Sequence, residues 1–288
     1  MNELKNIVIC ILTIILINSC TSSNILDQNK LNNISNNNYW RTIASAMQIV
    51  VIHSSELVNE NIELNKYYEY IIKPIKTLKG SEQESIKFNI YMNEEIINYI
   101  NSLQYENNVI IFLTISYDGY DYNKYLASYY IENAIIEYTY EVAIIINEEI
   151  ELQNNIIRNK LYEKFKQDKK VYSKVKGYIN RSSNILFQAN SFKKLLNFEE
   201  NGVPYIILHM DNFKKLPINS ITLENRNPNA FERYRHYGPE LVIDALDAIL
   251  NQITGEYFGN IVNGEATEEM RLSVLNGWRV YLFKLMIN

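Results

Sequence analysis

Cys10 and Cys20 are the only cysteines of this 288-residue chain, and both lie within its first 20 residues. Everything downstream must therefore fold with no disulfide of its own, and a chain in that position has to hold itself by a buried core. Beyond residue 38 about 250 residues remain, enough for one large or two small domains. The net charge of −5 comes with no basic stripe. Phosphate binding needs clustered Lys and Arg, so a nucleic-acid partner is not expected. The excess of Ile, Asn, Lys and Tyr has the look of an AT-rich coding sequence, so single Asn and Tyr residues carry less functional weight.

The amino terminus reads MNELKNIVICILTIILINSC. Lys5 supplies a positive charge, and positions 7 to 17 are apolar apart from Thr13. A helix of that length spans about 17 Å, short of a hydrocarbon core of about 30 Å. Such a stretch behind a basic residue is a cleavable export signal. It ends in Ile17-Asn18-Ser19-Cys20, which resembles the lipobox of bacterial lipoproteins, with Asn18 standing where a small or apolar residue is usual. The resemblance implies cleavage before Cys20, acyl chains (palmitate among them) on its thiol, and a membrane as partner. Residues 1–19 are then a signal peptide. Residues 20–38 are the lipidated cysteine and a tether, too rich in Asn and Ser to order itself. Each buried CH₂ contributes about 0.8 kcal/mol, so two or three acyl chains make a stable anchor. Thr21 follows the cysteine where some bacteria place an Asp that retains lipoproteins at the inner membrane, which favours the outer membrane.

Residues 39–150 read as β-rich. Met47 to Ile52 is a short apolar run, and Lys66 to Ile72 is dense in Tyr and Ile, which suit a pleated surface. Ser85 to Tyr91 alternates, with Ile86, Phe88 and Ile90 on one face. Val109 to Ile115 is continuously apolar, as in a strand buried on both faces. Tyr125 to Ile131 and Val142 to Asn147 complete the strands, Lys79-Gly80-Ser81 is a turn, and Glu94 to Leu103 has helical spacing. The order strand, strand, strand, helix, strand, strand is similar to an OB-fold. The segments YYEYIIKPIKTLKG, SIKFNIY and NNVIIFL resemble the netrin and tissue-metalloproteinase-inhibitor type of OB module. Its disulfides and inhibitory N-terminal Cys are absent here, so the resemblance implies a small β-barrel and no activity.

From residue 151 to 288 the texture becomes helical. Seven of the nine Gly and four of the five Pro lie here. Ile157, Leu161 and Phe165 share a face. Phe192, Leu195, Leu196 and Phe198 mark a second helix, and Val203 to Met210 a third. Gly238 as cap and Pro239 at the first position open a fourth helix, which Gly255 closes in the left-handed conformation. Thr267 caps the last, whose buried face is Met270, Val274, Trp278 and Tyr281. Leu250, Ile253, Thr254, Gly255, Phe258 and Gly259, then Arg271, Trp278, Arg279 and Tyr281, resemble the closing unit of bacterial HEAT-like helical repeat proteins. That resemblance implies a packed scaffold or binding surface. The expected fold class is therefore α+β in two domains, an OB-like small β-barrel over 39–150 and a HEAT-like helical domain over 151–288.

No serine sits in a Gly-x-Ser-x-Gly elbow, and no glycine loop cradles phosphate. Glu94-Glu95 and Glu148-Glu149 are adjacent carboxylates facing different ways, expected on solvated surface. His209, Asp211, His236 and Asp244 lack the spacing of a metal site, so no metal and no cofactor is expected. Phe231 to Tyr237 is the densest polar-aromatic cluster. In it Arg233, Tyr234, Arg235 and His236 are either a recognition loop or, as favoured here, a linker tying helices together. Fourteen of the 23 Tyr lie between Tyr67 and Tyr140. Tyr117, Tyr120 and Tyr122 surround Asp118-Gly119 in a candidate binding loop. The reading is a membrane-anchored cell-envelope lipoprotein that binds a protein partner without catalysis. The alternatives are an envelope hydrolase using His209, Asp211 and His236, or a surface adhesin or inhibitor.

Overall fold

The computed structural model describes residues 39–59, 62–64, 67–91, 94–103, 107–115, 125–127, 134–165, 167–225 and 232–287. The described residues from Arg41 onward belong to one compact unit. The fold is mixed α+β. Its first part contains α1 (Tyr39–Ser45), β1 (Gln48–His53), α2 (Ser55–Asn59), β2 (Ile62–Leu64), β3 (Tyr67–Ile72) and β4 (Lys76–Lys79). Then follow β5 (Ile86–Tyr91), α3 (Glu94–Ser102), β6 (Asn108–Ile115), β7 (Tyr125–Ala127) and β8 (Ile135–Glu137).

These eight strands pair in the order β2-β3-β5-β7-β6-β1-β4, with β8 also on β6. The path is open at both ends, and no closed barrel is formed by the described ladders. β5 and β7 are parallel. The other pairs are antiparallel. β6 is the hub, because its continuous apolar run is buried on both faces from Val109 to Leu113, as the sequence pattern predicts. In β5, Ile86, Phe88 and Ile90 are buried and Lys87 is exposed, as the alternation predicts, but Asn89 on the opposite face is buried too. Phe88 stacks on Tyr70, its partner across the ladder, at 5.4 Å. Gly80 closes the β4 turn at φ +93°, and a Cβ there would meet the Gln48 side chain, whose amide donates to the Ser81 carbonyl at 2.7 Å.

The second part departs from several expectations. Val142 to Asn147, expected as a strand, belongs instead to α4 (Tyr140–Arg158), a helix that starts on the Thr139 hydroxyl. A strand would place Ile144 and Ile146 on one face. Ile146 is fully buried while Ile144 is 39% exposed, which is helical spacing. The expected domain boundary at residue 150 falls within this helix. The face shared by Ile157, Leu161 and Phe165 does not form, because Lys160 turns left-handed (φ 49°) into a 3-10 turn at Leu161–Glu163. α5 (Lys169–Arg181), capped by Asp168, has no counterpart in the sequence reading. α6 (Gln188–Leu196) precedes α7 (Val203–Ile207), which stops short of Met210.

Phe231 to Tyr237 is not simply a linker. Tyr234–Tyr237 is β10, paired antiparallel with β9 (Ile221–Glu224). α8 (Val242–Thr254) begins after Pro239, not at it. Its start is set by the Asp244 carboxylate, which accepts from the backbone N–H groups of Glu240 and Leu241 at 3.1 and 3.0 Å. Gly255 does close the helix, left-handed at φ 71°. α9 (Glu268–Ile287) does start on Thr267, whose hydroxyl accepts from Met270. It buries Met270, Val274 and Trp278, with Tyr281 half-buried.

Three carboxylates hold α9 in place. Arg271 makes a two-pronged pair with Asp244, at 2.7 and 2.9 Å. Trp278 Nε1 donates to Asp247 at 2.7 Å. Lys284 Nζ meets Glu149 at 3.0 Å, and Gln153 donates to the other oxygen at 2.9 Å. Glu149 is therefore buried, not on solvated surface as expected, and burial raises its pKa against the opposing pull of Lys284. Removing one partner of such a pair strands a charge, while replacing both with apolar groups is close to neutral. Lys284→Met is expected to lower the stability by about 3–5 kcal/mol. The double change Glu149→Met with Lys284→Met should restore most of it, as read by urea unfolding.

Candidate functional site

The β9–β10 hairpin divides the polar-aromatic cluster by strand alternation. His236 lies opposite Thr222, and its Nδ1 is 2.9 Å from the Thr222 hydroxyl. Tyr234 lies opposite Glu224, with the Arg233 guanidinium 5.4 Å from its ring. Arg233, Tyr234, Arg235 and His236 are all exposed and Tyr237 is half-buried. Arg235 and Tyr237 face the other way, opposite the buried Leu223 and Ile221. There they enter a cleft of about 710 Å³ whose far wall is the end of α8 and the loop from Glu256 to Asn263.

Local structure holds this wall. The Gly255 N–H donates to the Asn251 carbonyl at 3.0 Å. The Thr254 hydroxyl donates to Leu250 and accepts from the Glu256 N–H, which turns the chain out of the helix. Gln252 donates to the Tyr237 hydroxyl at 2.7 Å, linking the two walls. The Gly238 N–H donates to the Asn263 side chain at 3.1 Å. Glu256 receives the Arg41 guanidinium in a two-pronged pair at 2.8 to 3.1 Å.

Beneath the cleft the resemblance residues pack together. Phe258, Trp278 and Tyr281 form an edge-on cluster, with Phe258 and Trp278 4.9 Å apart. A Cβ on Gly277 would strike the Phe258 ring. Arg279 lies 5.0 Å from the Tyr162 ring. Asp247 lies next to this cluster on α8. Burial pushes its pKa up to about 7, the nearby Asp244 charge adds to the rise, and hydrogen bonds from Trp278 and Asn251 oppose it.

Further concavities are lined differently. His209 and Asp211 share a cleft of about 450 Å³ with Lys176 and Lys214, and His236 is not among its lining residues. His209 packs 5.1 Å from the Tyr172 ring, and burial lowers its pKa, with Lys176 adding to the effect. A groove of about 450 Å³ joins β4 to α4 and α9. In it burial lowers the Lys79 pKa to about 8. Its ammonium donates to the Ile43 carbonyl in the last turn of α1 at 2.6 Å, a structural use of the cation. Among the described residues no group of His, Cys, Asp and Glu is placed to hold a metal ion. Cys20, Tyr117, Tyr120 and Tyr122 lie outside the described residues.

Sequence reasoning found Arg235 and missed Asn251, Gln252, Glu256 and Asn260. The helix stop at Thr254-Gly255 marked where this wall begins. The amides carry no local signal, because Asn is abundant throughout the chain. Neither protein-family models, curated proteins nor solved structures match this chain.

Asp247 sets a pH dependence. The unfolded chain loses this proton near pH 4 and the folded chain near pH 7. Between the two the folded state binds the extra proton, so stability falls as pH rises across that window and levels off above it. Asp247→Asn keeps the acceptor for Trp278 and removes the titration. The melting temperature of the variant relative to wild type should therefore climb from pH 5 to pH 8, by the equivalent of about 1.4 kcal/mol per unit inside the window.

Proposed function

We infer that this protein is a cell-envelope lipoprotein, anchored through acyl chains on Cys20, whose body binds a ligand without transforming it. The observation that carries the binding reading is the 710 Å³ cleft beside β10, lined by amide, hydroxyl and aromatic side chains on a strand and a helix end. Ligand sites are commonly preformed clefts of roughly 300–1,000 Å³ with a few convergent polar groups. The carboxylates inside the helical part are committed to Arg271, Trp278 and Lys284. Acid–base work needs a carboxyl or imidazole within reach of a substrate proton, and His209 and His236 lie in different places. These points favour a binder over the hydrolase alternative.

The anchor reading rests on the lipobox resemblance ending at Cys20 and on the Asn-rich tether behind it. No helix among the described residues is long and apolar enough to cross a membrane. Thr21, in place of the retaining Asp, favours an outer-membrane location. The OB-like reading is supported by the parallel β5–β7 pair and by α3 between β5 and β6. β3 and β4 are also separated only by Lys73-Pro74-Ile75, yet lie towards opposite ends of the ladder. One strand interrupted at a proline therefore serves both flanks of the sheet, and the Ile75 N–H still donates to the Val51 carbonyl at 2.8 Å. The HEAT-like reading is supported by the packing of Phe258, from the loop after α8, against Trp278 of α9, which stacks edge-on with Tyr281.

Metabolic labelling with an alkyne palmitate tests the anchor. Wild type is expected to take up label and to fractionate with the outer membrane, and Cys20→Ala to lose both. Label that persists in Cys20→Ala refutes the anchor.

A further inference from the structure

We propose that the cleft between β10 and the loop joining α8 to α9 binds an uncharged oligosaccharide, an inference that rests on the binding reading and names its ligand class. The charge in the cleft is the first argument. Among the described residues that line it, the cation is Arg235 and the carboxylate is Glu256, which Arg41 already engages with both oxygens. A phosphate or nucleic-acid ligand needs clustered cations. A hard metal ion needs several oxygen ligands, carboxylates above all. The cleft offers neither.

The second argument is the kind of polar group present. Asn225, Asn251, Gln252, Asn260 and Asn263 contribute to the lining. A primary amide carries two donors and an acceptor on one rigid plane. A sugar hydroxyl also donates and accepts at one atom, so adjacent hydroxyls match such amides. A lipid or other apolar occupant would desolvate the same amides without replacing their hydrogen bonds. The third argument is the aromatic surface. Tyr237 and Tyr257 both line the cleft. A tyrosine ring offers an apolar face with a polar tip, suited to the C–H face of a sugar ring and its rim of hydroxyls. The Tyr237 hydroxyl is held by Gln252, which fixes that ring before a ligand arrives.

The test is calorimetric titration of the full-length chain in detergent with chitotetraose, cellotetraose and maltotetraose, with hexaglycine and inorganic phosphate as comparisons. At least one sugar should bind saturably, more tightly than either comparison. Tyr237→Leu and Asn260→Leu should each weaken it tenfold or more, with the Asn260→Leu urea midpoint unchanged. The proposal is overturned if no sugar binds up to about 10 mM, if both variants bind as wild type does, or if hexaglycine or phosphate binds better at the same residues. Cys20→Ala should bind sugar as wild type does, so a failed anchor and a failed ligand class give different results.

Discussion

The burial of α9 is the constraint on which the helical part depends. Arg271, Trp278 and Lys284 are spaced about two turns apart along it, and each is matched by a carboxylate on a packed neighbour. Asp244 and Asp247 come from α8 and Glu149 from α4. Charged groups inside a protein add little net stability over apolar ones, but a mismatched partner is costly. The three contacts therefore act mainly on register. A slide of α9 by one turn would separate Arg271, Trp278 and Lys284 from the three buried carboxylates they face. Phe258 wedges against Gly277 and Trp278 at the same level and blocks the same slide sterically.

The parts of the fold that could be read in advance are those whose pattern is local. Ile86, Phe88 and Ile90 alternate, Val109 to Leu113 are unbroken, and Gly255 and Thr267 mark helix ends by backbone chemistry alone. Val142 to Asn147 failed because a short Ile-rich run has no period of its own. What decides it is Thr139 in front and Glu149, Gln153 and Ile156 behind, which continue the helical face. α5 went unread because only Val175 and Ile179 of its thirteen residues are buried core positions. At α8 the Gly238-Pro239 signal was real but served another end. Gly238 is tied to Asn263, and the backbone of Glu240 pairs with Leu216 before the helix begins.

The candidate site was partly readable for the same reason. The density of Arg, Tyr and His at 233–237 drew notice, but only a paired strand separates Arg235 and Tyr237 from their neighbours. The opposing wall comes from residues 251 to 263, across a turn and a helix, and its amides look ordinary in a chain this rich in Asn. Nothing local marks Glu256 as part of a cleft, because its partner Arg41 lies 215 residues away.

The same long separations bear on the order in which the protein can form. Glu149 waits for Lys284, made 135 residues later. At a synthesis rate of about 5–20 residues per second, that interval is roughly 7 to 27 seconds. Until α9 is made, Glu149, Asp244 and Asp247 lack the groups that offset their burial, and hydration is the lower-energy state for these carboxylates. The segment that locks the helical part therefore follows, in order of synthesis, each of the three carboxylates it covers.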